Sequence, residues 1–223
     1  MKMLYYPYDF KCEFFYDKHN RITIENKEVF EQFVIDLEKT INKEEEIIFC
    51  EQDEKEIKLD KTTCFITSTL DLRYNKKEYQ KFLFNKLIEE LQLNDMEIKI
   101  ADVYTKLLEQ MDALKTKTTY NIDVDEELDY SAIFKMLNIE LSQPQGNFVE
   151  KLLDYMKTQW ELMNKNIFFV INCSAFIDGR WYNEIVKWCD YQNVFVIFVE
   201  NRQVVKDKCI NEYILDHDMC EIH

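Results

Sequence analysis

Glycine is almost absent from this chain. Its 223 residues include two, Gly146 and Gly179, far apart in sequence. A Walker A loop needs two glycines within GxxxxGK[ST], and a dinucleotide loop needs three, so glycine-built phosphate cradles are excluded. Proline is as scarce, at Pro7 and Pro144. Three histidines support no Ser–His–Asp order, and nothing positions a Cys–His pair. No apolar run reaches the length of a transmembrane helix. The opening MKMLYYPYDF has no signal-peptide apolar region and carries acid by Asp9, so a cytoplasmic protein is expected. None of the seven cysteines forms a CxxC pair, and zinc is not expected. Cys50, Cys64, Cys173 and Cys189 lie in apolar segments and read as buried thiols. Cations are also short: 28 Lys and Arg against 43 Asp and Glu leave a net charge of −15. That balance speaks against nucleic acid, whose phosphates need cations.

Apolar residues, by contrast, are plentiful at 47%, with 16 Phe and 13 Tyr, enough for a substantial core. The chain is organised around Asn166–Asn201. Ile167–Asn172 and Val194–Val199 are uncharged runs rich in Phe, Val and Ile, the pattern of fully buried strands. Between them Trp181, Ile185 and Trp188 form one helical stripe, with Asp178 as N-cap. Strand, helix, strand at this length predicts a βαβ crossover with parallel, central strands.

Around this unit the pattern alternates between extended and helical. Leu4–Tyr6, Cys12–Tyr16 and Arg21–Ile24 are short extended runs. Lys27–Asn42 carries an amphipathic stripe of Phe30, Phe33, Val34, Leu37 and Ile41. Ile47–Cys50, Glu56–Leu59 and Cys64–Thr67 read as three more strands. Residues 75–119 are helical in pattern and break at Asn94-Asp95 into two antiparallel helices. One stripe holds Phe82, Leu83, Leu87, Ile88 and Leu91. The other holds Ile100, Val103, Tyr104, Leu107, Leu108, Met111 and Leu114. Tyr120–Val124 reads as extended, Tyr130–Leu137 as a short helix and Phe148–Met163 as a long one. The pattern predicts an α/β head from residues 1–69 and 146–223, with a helical insertion over 70–145.

The chemistry on offer is modest. Ile22–Phe30 has the strand–turn–helix form of a phosphate site without the glycines that let backbone amides wrap a phosphate. Asn172 stands where such folds place a metal-holding Asp. The carboxylates Asp123, Asp125, Glu126, Glu127 and Asp129 suit a hard cation. Leu128 and Phe134 exclude an EF-hand, however, and from spacing alone a solvated acidic turn is the simpler reading. Arg73, Lys76, Lys77, Lys81, Lys115 and Lys117 read alone as helix-surface charges.

Order and spacing add a resemblance. Asn172, Ser174, Ala175 and Phe176 after the first central strand, Glu200 and Arg202 after the second, and Tyr213–Asp216 near the end together resemble the adaptation protein of type II-A CRISPR systems. Ile22–Phe30 and Asp123–Ser142 resemble further parts of that family, so the likeness covers nearly the whole chain. It departs in a longer, Tyr-rich N-terminus and in its acidity. The resemblance implies a head like that of P-loop ATPases, with a largely parallel sheet and no nucleotide loop, and an inserted helical leg. It implies a non-catalytic, ring-shaped homotetramer that binds calcium and encircles double-stranded DNA ends. The implied role is spacer acquisition, beside the spacer integrase and the effector nuclease. Calcium would sit on the 123–129 carboxylates, at the return from leg to head. Sequence-independent phosphate contacts would fall to Arg73, Lys76, Lys77, Lys81, Lys115, Lys117 and Lys135. A degenerate ATPase that still turns over nucleotide, or a protein–protein adaptor without DNA affinity, are the alternatives.

Overall fold

The structure, a computed structural model, describes the chain except residues 45, 52, 54, 69–71, 75, 178, 205–209 and 223, and except the side chains of 76, 179, 180 and 210. The elements begin with β1 (Lys2–Tyr5), a 3-10 turn (Tyr6–Tyr8), β2 (Phe10–Glu13), β3 (His19–Ile24), α1 (Lys27–Ile41) and β4 (Ile48–Cys50). There follow α2 (Leu59–Thr62), β5 (Thr63–Ile66), α3 (Lys76–Leu93), α4 (Met96–Lys115) and α5 (Tyr130–Met136). The chain closes with α6 (Phe148–Met163), β6 (Ile167–Ile171), α7 (Gly179–Gln192), β7 (Phe195–Glu200), β8 (Ile210–Leu215) and β9 (Glu221–Ile222). These elements divide into two compact units, Met1–Arg73 with Pro144–His223, and Tyr74–Gln143.

The first unit is mixed α/β. Its main sheet has the order β5-β6-β7-β3-β8-β9, parallel throughout except for the short β9. β6 and β7 are interior, with Ile167 opposite Phe195 and Ile171 opposite Val199, and every residue of both is buried. Burial on both faces explains why these runs show no polar alternation. Their side chains still alternate between layers. Phe169, Ile197 and Val199 face α1 (Val29, Phe33, Leu37) and the antiparallel β2-β1-β4 sheet (Tyr5, Phe10, Phe49). Phe168, Val170, Val196 and Phe198 face α6 (Leu152, Met156) and α7 (Tyr182, Ile185, Cys189).

Helix entries are built by local chemistry. Asn26 caps α1 by accepting from the Glu28 and Val29 amides. Asn147 and Glu150 form a reciprocal capping box on α6. Gly146 precedes it with φ +97°, and the Glu150 carboxylate occupies the space a Cβ would take. Here glycine is required.

The second unit is helical. Asn94-Asp95 turns α3 back into α4 through a left-handed Asp95 (φ 51°). α5 places Phe134 edge-on to Phe84 at 5.2 Å, and Tyr74 meets Tyr79 at the same spacing. α4 has no buried residue.

Several details differ from the sequence pattern. Glu56–Leu59 is not a strand: Glu56 makes one bridge to Cys50, and Leu59 opens α2. Tyr120–Val124 joins no sheet. On α3 the buried residues are Tyr79 and Phe84, while Phe82 is exposed. On α7 the buried line is Tyr182, Ile185 and Cys189; Trp181 and Trp188 flank it, partly buried. Broad indole rings mark the edge of that line, since they cover the core from its border. Asp178, read as the cap of α7, lies outside the described residues. Cys64, Cys173 and Cys189 are buried, as is Cys12, whereas Cys50 is half-buried.

Ile185→Ala should therefore cost about 2–5 kcal/mol, as an aliphatic core truncation does. Trp188→Ala should cost less than Phe or Trp truncation in a closed core. Urea unfolding followed by circular dichroism compares the two, and an equal or larger loss at Trp188 would move the centre of the core.

Candidate functional site

β3 lies between β7 and β8, although it comes first of the parallel strands. From β3 the chain runs through α1 to the far edge at β5, and from β7 it crosses β3 to reach β8. Connections leaving adjacent strands in opposite directions open a crevice at their carboxyl ends, the usual ligand site of an open α/β sheet. Its residues here are Glu25 and Asn26 after β3, Asn172–Ser174 after β6, and Glu200 and Asn201 at the end of β7.

Several potential anion-binding groups in this crevice already have partners. The Glu25 amide donates to the Leu215 carbonyl at 2.9 Å. Two of the first amides of α1 are taken by Asn26. After β6, Asn172 adopts φ +50°, a left-handed conformation that Asn tolerates better than most residues. Its side-chain oxygen accepts from Asn201 N at 3.2 Å. The loop then aims its next two amides at Glu200. That carboxylate, 1% exposed, accepts from Cys173 N at 3.0 Å, Ser174 N at 2.9 Å and Ser174 Oγ at 2.7 Å. Two successive amides around one anion form the kind of nest that holds phosphate in nucleotide-binding folds. Here the anion is the protein's own. Burial and the neighbouring Glu200 carboxylate push the Cys173 thiol well up, so it is no nucleophile.

Beside this hub lies a second buried polar group. Arg21 is 1% exposed and places Nη1 3.5 Å from Glu212 Oε1, while Thr23 Oγ1 donates to the same oxygen at 3.0 Å. Its guanidinium lies 5.5 Å from the Tyr182 ring centre, and His19 stacks on that ring at 3.9 Å. The ion pair fastens β8 to β3. Neither Arg21 nor Glu212 stands out in the sequence; Arg21 opens a short run read as extended, and nothing marks Glu212 as its partner.

The residues singled out by sequence fare differently. Asn172, Ser174 and Glu200 come together in the hub. The five carboxylates of 123–129 are all exposed and do not converge. Asp125 Oδ1 accepts from Glu127 N at 3.0 Å, and Asp129 Oδ1 caps α5 through Ser131 N at 2.7 Å. Tyr104 Oη reaches the Asp125 and Glu127 carbonyls, both at 3.3 Å. Among the described residues no group of three or more His, Cys, Asp or Glu side chains is placed to hold a metal ion. Of the cationic candidates, Lys77, Lys81, Lys117 and Lys135 are exposed on the helical unit, and Arg73 is exposed at the end of the first unit. Lys115 is paired with Asp112 at 3.1 Å. The Lys76 side chain lies outside the described residues.

A groove of about 1340 Å³, not anticipated from sequence, opens in the first unit over the small sheet. Lys2, Lys11, Lys43, Lys58 and Lys61 line it with Leu4, Ile48 and Ile57. Lys11 pairs with Asp9 and Lys43 with Asp60, and Glu13 and Glu56 also face it, so its charge is mixed.

Comparison with known proteins decides the family. The family model described as CRISPR-associated protein (Cas_Csn2) matches residues 22–219, from β3 to the turn before β9. The chain belongs to the Csn2 family. Over 156 residues it is 25% identical to the CRISPR-associated protein Csn2 of Enterococcus faecalis, a span of 69% of this chain and 68% of that protein. The family model's span includes the whole Glu200 hub and the whole helical unit. Among the described residues no helix is long and apolar enough to cross a membrane.

The hub's neighbour sets an acid limit on the fold. Burial, and then the Arg21 charge, lower the His19 pKa from 6.5 to about 3. Tyr182 and Phe198 enclose the rest of the ring. The unfolded chain binds the proton near pH 6.5, and the folded protein does not, so this contribution is complete above that pH and is lost as pH falls toward 3. His19→Phe should flatten the fall in urea midpoint across this window. A variant as acid-sensitive as the parent would place the effect elsewhere.

Proposed function

We propose that the chain binds double-stranded DNA ends without base readout and without catalysis, as a ring-shaped homotetramer serving CRISPR spacer acquisition. Membership of a CRISPR-associated family supports the setting. The observation that supports the absence of catalysis is the buried Glu200 carboxylate in the anion nest of the switch point; DNA-end binding and the ring rest on the family resemblance. The order of the parallel strands and the turn from β3 into α1 support a P-loop-ATPase-like head, and that turn, without glycine and with two of the first α1 amides taken by Asn26, offers a nucleotide phosphate no cradle. Such a head acts as a scaffold and not as a motor, which argues against the reading of residual nucleotide turnover.

The helical unit supplies the contacts. Lys77, Lys81, Lys117 and Lys135 are the exposed cations assigned to phosphate, joined by Arg73, Lys76 and Lys115. A ring needs cations only along its inner wall, and symmetry repeats them, so a net charge of −15 is compatible with binding. The same charge favours, as the second reading, an adaptor that meets the spacer integrase and the effector nuclease in the cytoplasm without touching DNA.

A mobility shift separates the two. Affinity should fall with salt by about 0.9 in log–log slope for each phosphate neutralised. Lys77→Glu with Lys81→Glu should weaken all duplex sequences alike and flatten that slope. Linear duplex should bind better than closed circles, because a ring must be threaded. No shift at low salt would favour the adaptor.

Calcium on Asp123, Asp125, Glu126, Glu127 and Asp129 is proposed from the family resemblance. The donor set does not fit the ion as placed, because two carboxylates are engaged with backbone amides and the others stand apart. Binding therefore requires the segment to rearrange, and DNA binding is not routed through it. Calorimetry should show calcium heats that Asp125→Ala with Glu127→Ala removes; an absence of heat in the parent chain discards the metal.

A further inference from the structure

The solvent face of the small β2-β1-β4 sheet floors the groove of the first unit. Strand register arranges that face in two rows. Glu13, Lys2 and Cys50 lie side by side across β2, β1 and β4, and Lys11, Leu4 and Ile48 form the next row. Met3, Tyr5, Phe10, Cys12 and Phe49 turn the other way, into the core. An open sheet face ordinarily carries polar residues. Here Leu4 and Ile48 (38% exposed) stand next to each other on it. The bridge of Glu56 to Cys50 extends the first row, and Lys58, two residues on and still extended, lines the groove beyond Ile48. The described lining thus carries five lysines against Glu13, Glu56 and Asp60, in a chain whose net charge is −15. Lys11 is paired with Asp9 and Lys43 with Asp60. Lys2, Lys58 and Lys61 are exposed and have no ion-pair partner among the described residues.

We infer that this groove binds an acidic, extended segment of another protein, with an apolar side chain on Leu4 and Ile48 and carboxylates against Lys2 and Lys58. The two rows lie about 7 Å apart, the spacing of residues i and i+2 in an extended chain. A segment running along β1 therefore sets an acid on Lys2 and an apolar side chain, two residues on, between Leu4 and Ile48. The groove, at about 1340 Å³, exceeds the roughly 300–1,000 Å³ of a small-molecule site and suits an extended occupant. Nucleic acid fits it less well. A nucleic-acid strand carries charge at every nucleotide, and Glu13 and Glu56 close both ends of the Lys2 row. Single-stranded nucleic acid also stacks successive bases on aromatic rings. Tyr6 is the one exposed ring in the described lining; Tyr213 is half-buried, and its hydroxyl accepts from the Glu13 amide at 2.9 Å. β1 and β2 precede residues 22–219 matched by the family model, so the floor is built largely by segments outside that match. The inference goes beyond the DNA-binding reading and does not rest on it.

The test is fluorescence anisotropy on the full chain without DNA. The probe is a fluorescein-labelled dodecapeptide repeating Asp-Ser-Leu-Ser, which sets acid and apolar side chains two residues apart. The parent should bind it, and the same peptide with Asn for Asp should bind at least tenfold more weakly. Lys2→Glu with Lys58→Glu changes exposed side chains, so the thermal midpoint should hold while affinity for the acidic probe falls at least tenfold. Lys77→Glu with Lys81→Glu, on the helical unit, should leave peptide binding unchanged, so this inference and the DNA-binding reading can fail separately. No binding by the folded parent overturns the inference. So does equal binding of the Asn peptide, or undiminished binding by the folded Lys2 and Lys58 variant. A single-stranded oligothymidylate that displaces the probe at lower concentration than unlabelled peptide assigns the groove to nucleic acid and overturns it as well. If the glutamate variant unfolds, Lys2→Gln with Lys58→Gln decides by the same measure.

Discussion

The arrangement of the first unit depends on one buried carboxylate. Glu200 closes β7 and accepts three strong hydrogen bonds from the loop that leaves β6. A buried anion is costly unless its oxygens are filled, and a loop with two successive amides facing the interior is costly unless an anion meets them. Each therefore stabilises the other, and truncating either side would leave the other buried and unpaired. The hub ties together the ends of two fully buried strands, where a chain with one glycine on either side of Asn172 in a hundred residues has little freedom to bend. Asn172 supplies the left-handed turn itself, and its side chain ties the next residue of β7's exit back to it.

The same economy of glycine explains what was legible in sequence. β6, β7 and the crossover between them could be read because their burial is two-sided and leaves uncharged runs. The missing phosphate loop could be read from composition alone. What stayed hidden is what depends on partners distant in sequence. Arg21 sits in a short run of mixed polarity, and only the parallel pairing of β3 with β8 brings Glu212 beside it. Glu56–Leu59 alternates like a strand, yet the β4 edge takes one bridge from it before the chain coils into α2. The helix α7 was placed correctly while its buried line lay one residue from the indoles that mark it.

Charge is distributed by similar rules. The charges held inside, Arg21, Asp36 and Glu200, have structural partners: Arg21 lies 3.5 Å from the half-buried Glu212, Asp36 accepts from Tyr5 and Gln32, and Glu200 accepts from the loop after β6. Most of the acid excess lies in solvent, where it keeps copies soluble but opposes any close approach of like surfaces.

α4 shows why apolar periodicity alone cannot assign a partner. Its seven apolar positions from Ile100 to Leu114 form one stripe in sequence, and at 100° per residue they span about 140° of the helix surface. A helix packed against one layer needs little more than 100° of apolar arc. In the folded unit that arc divides. Tyr104, Leu108 and Met111 turn toward their own hairpin, and Val103, Leu107 and Leu114 turn away. An excess of apolar arc is thus a property of the sequence, while the line of division comes from the hairpin that α3 and α4 make. Residues on the outer side of that line pack less against their own unit, and apolar periodicity alone does not reveal where the line falls.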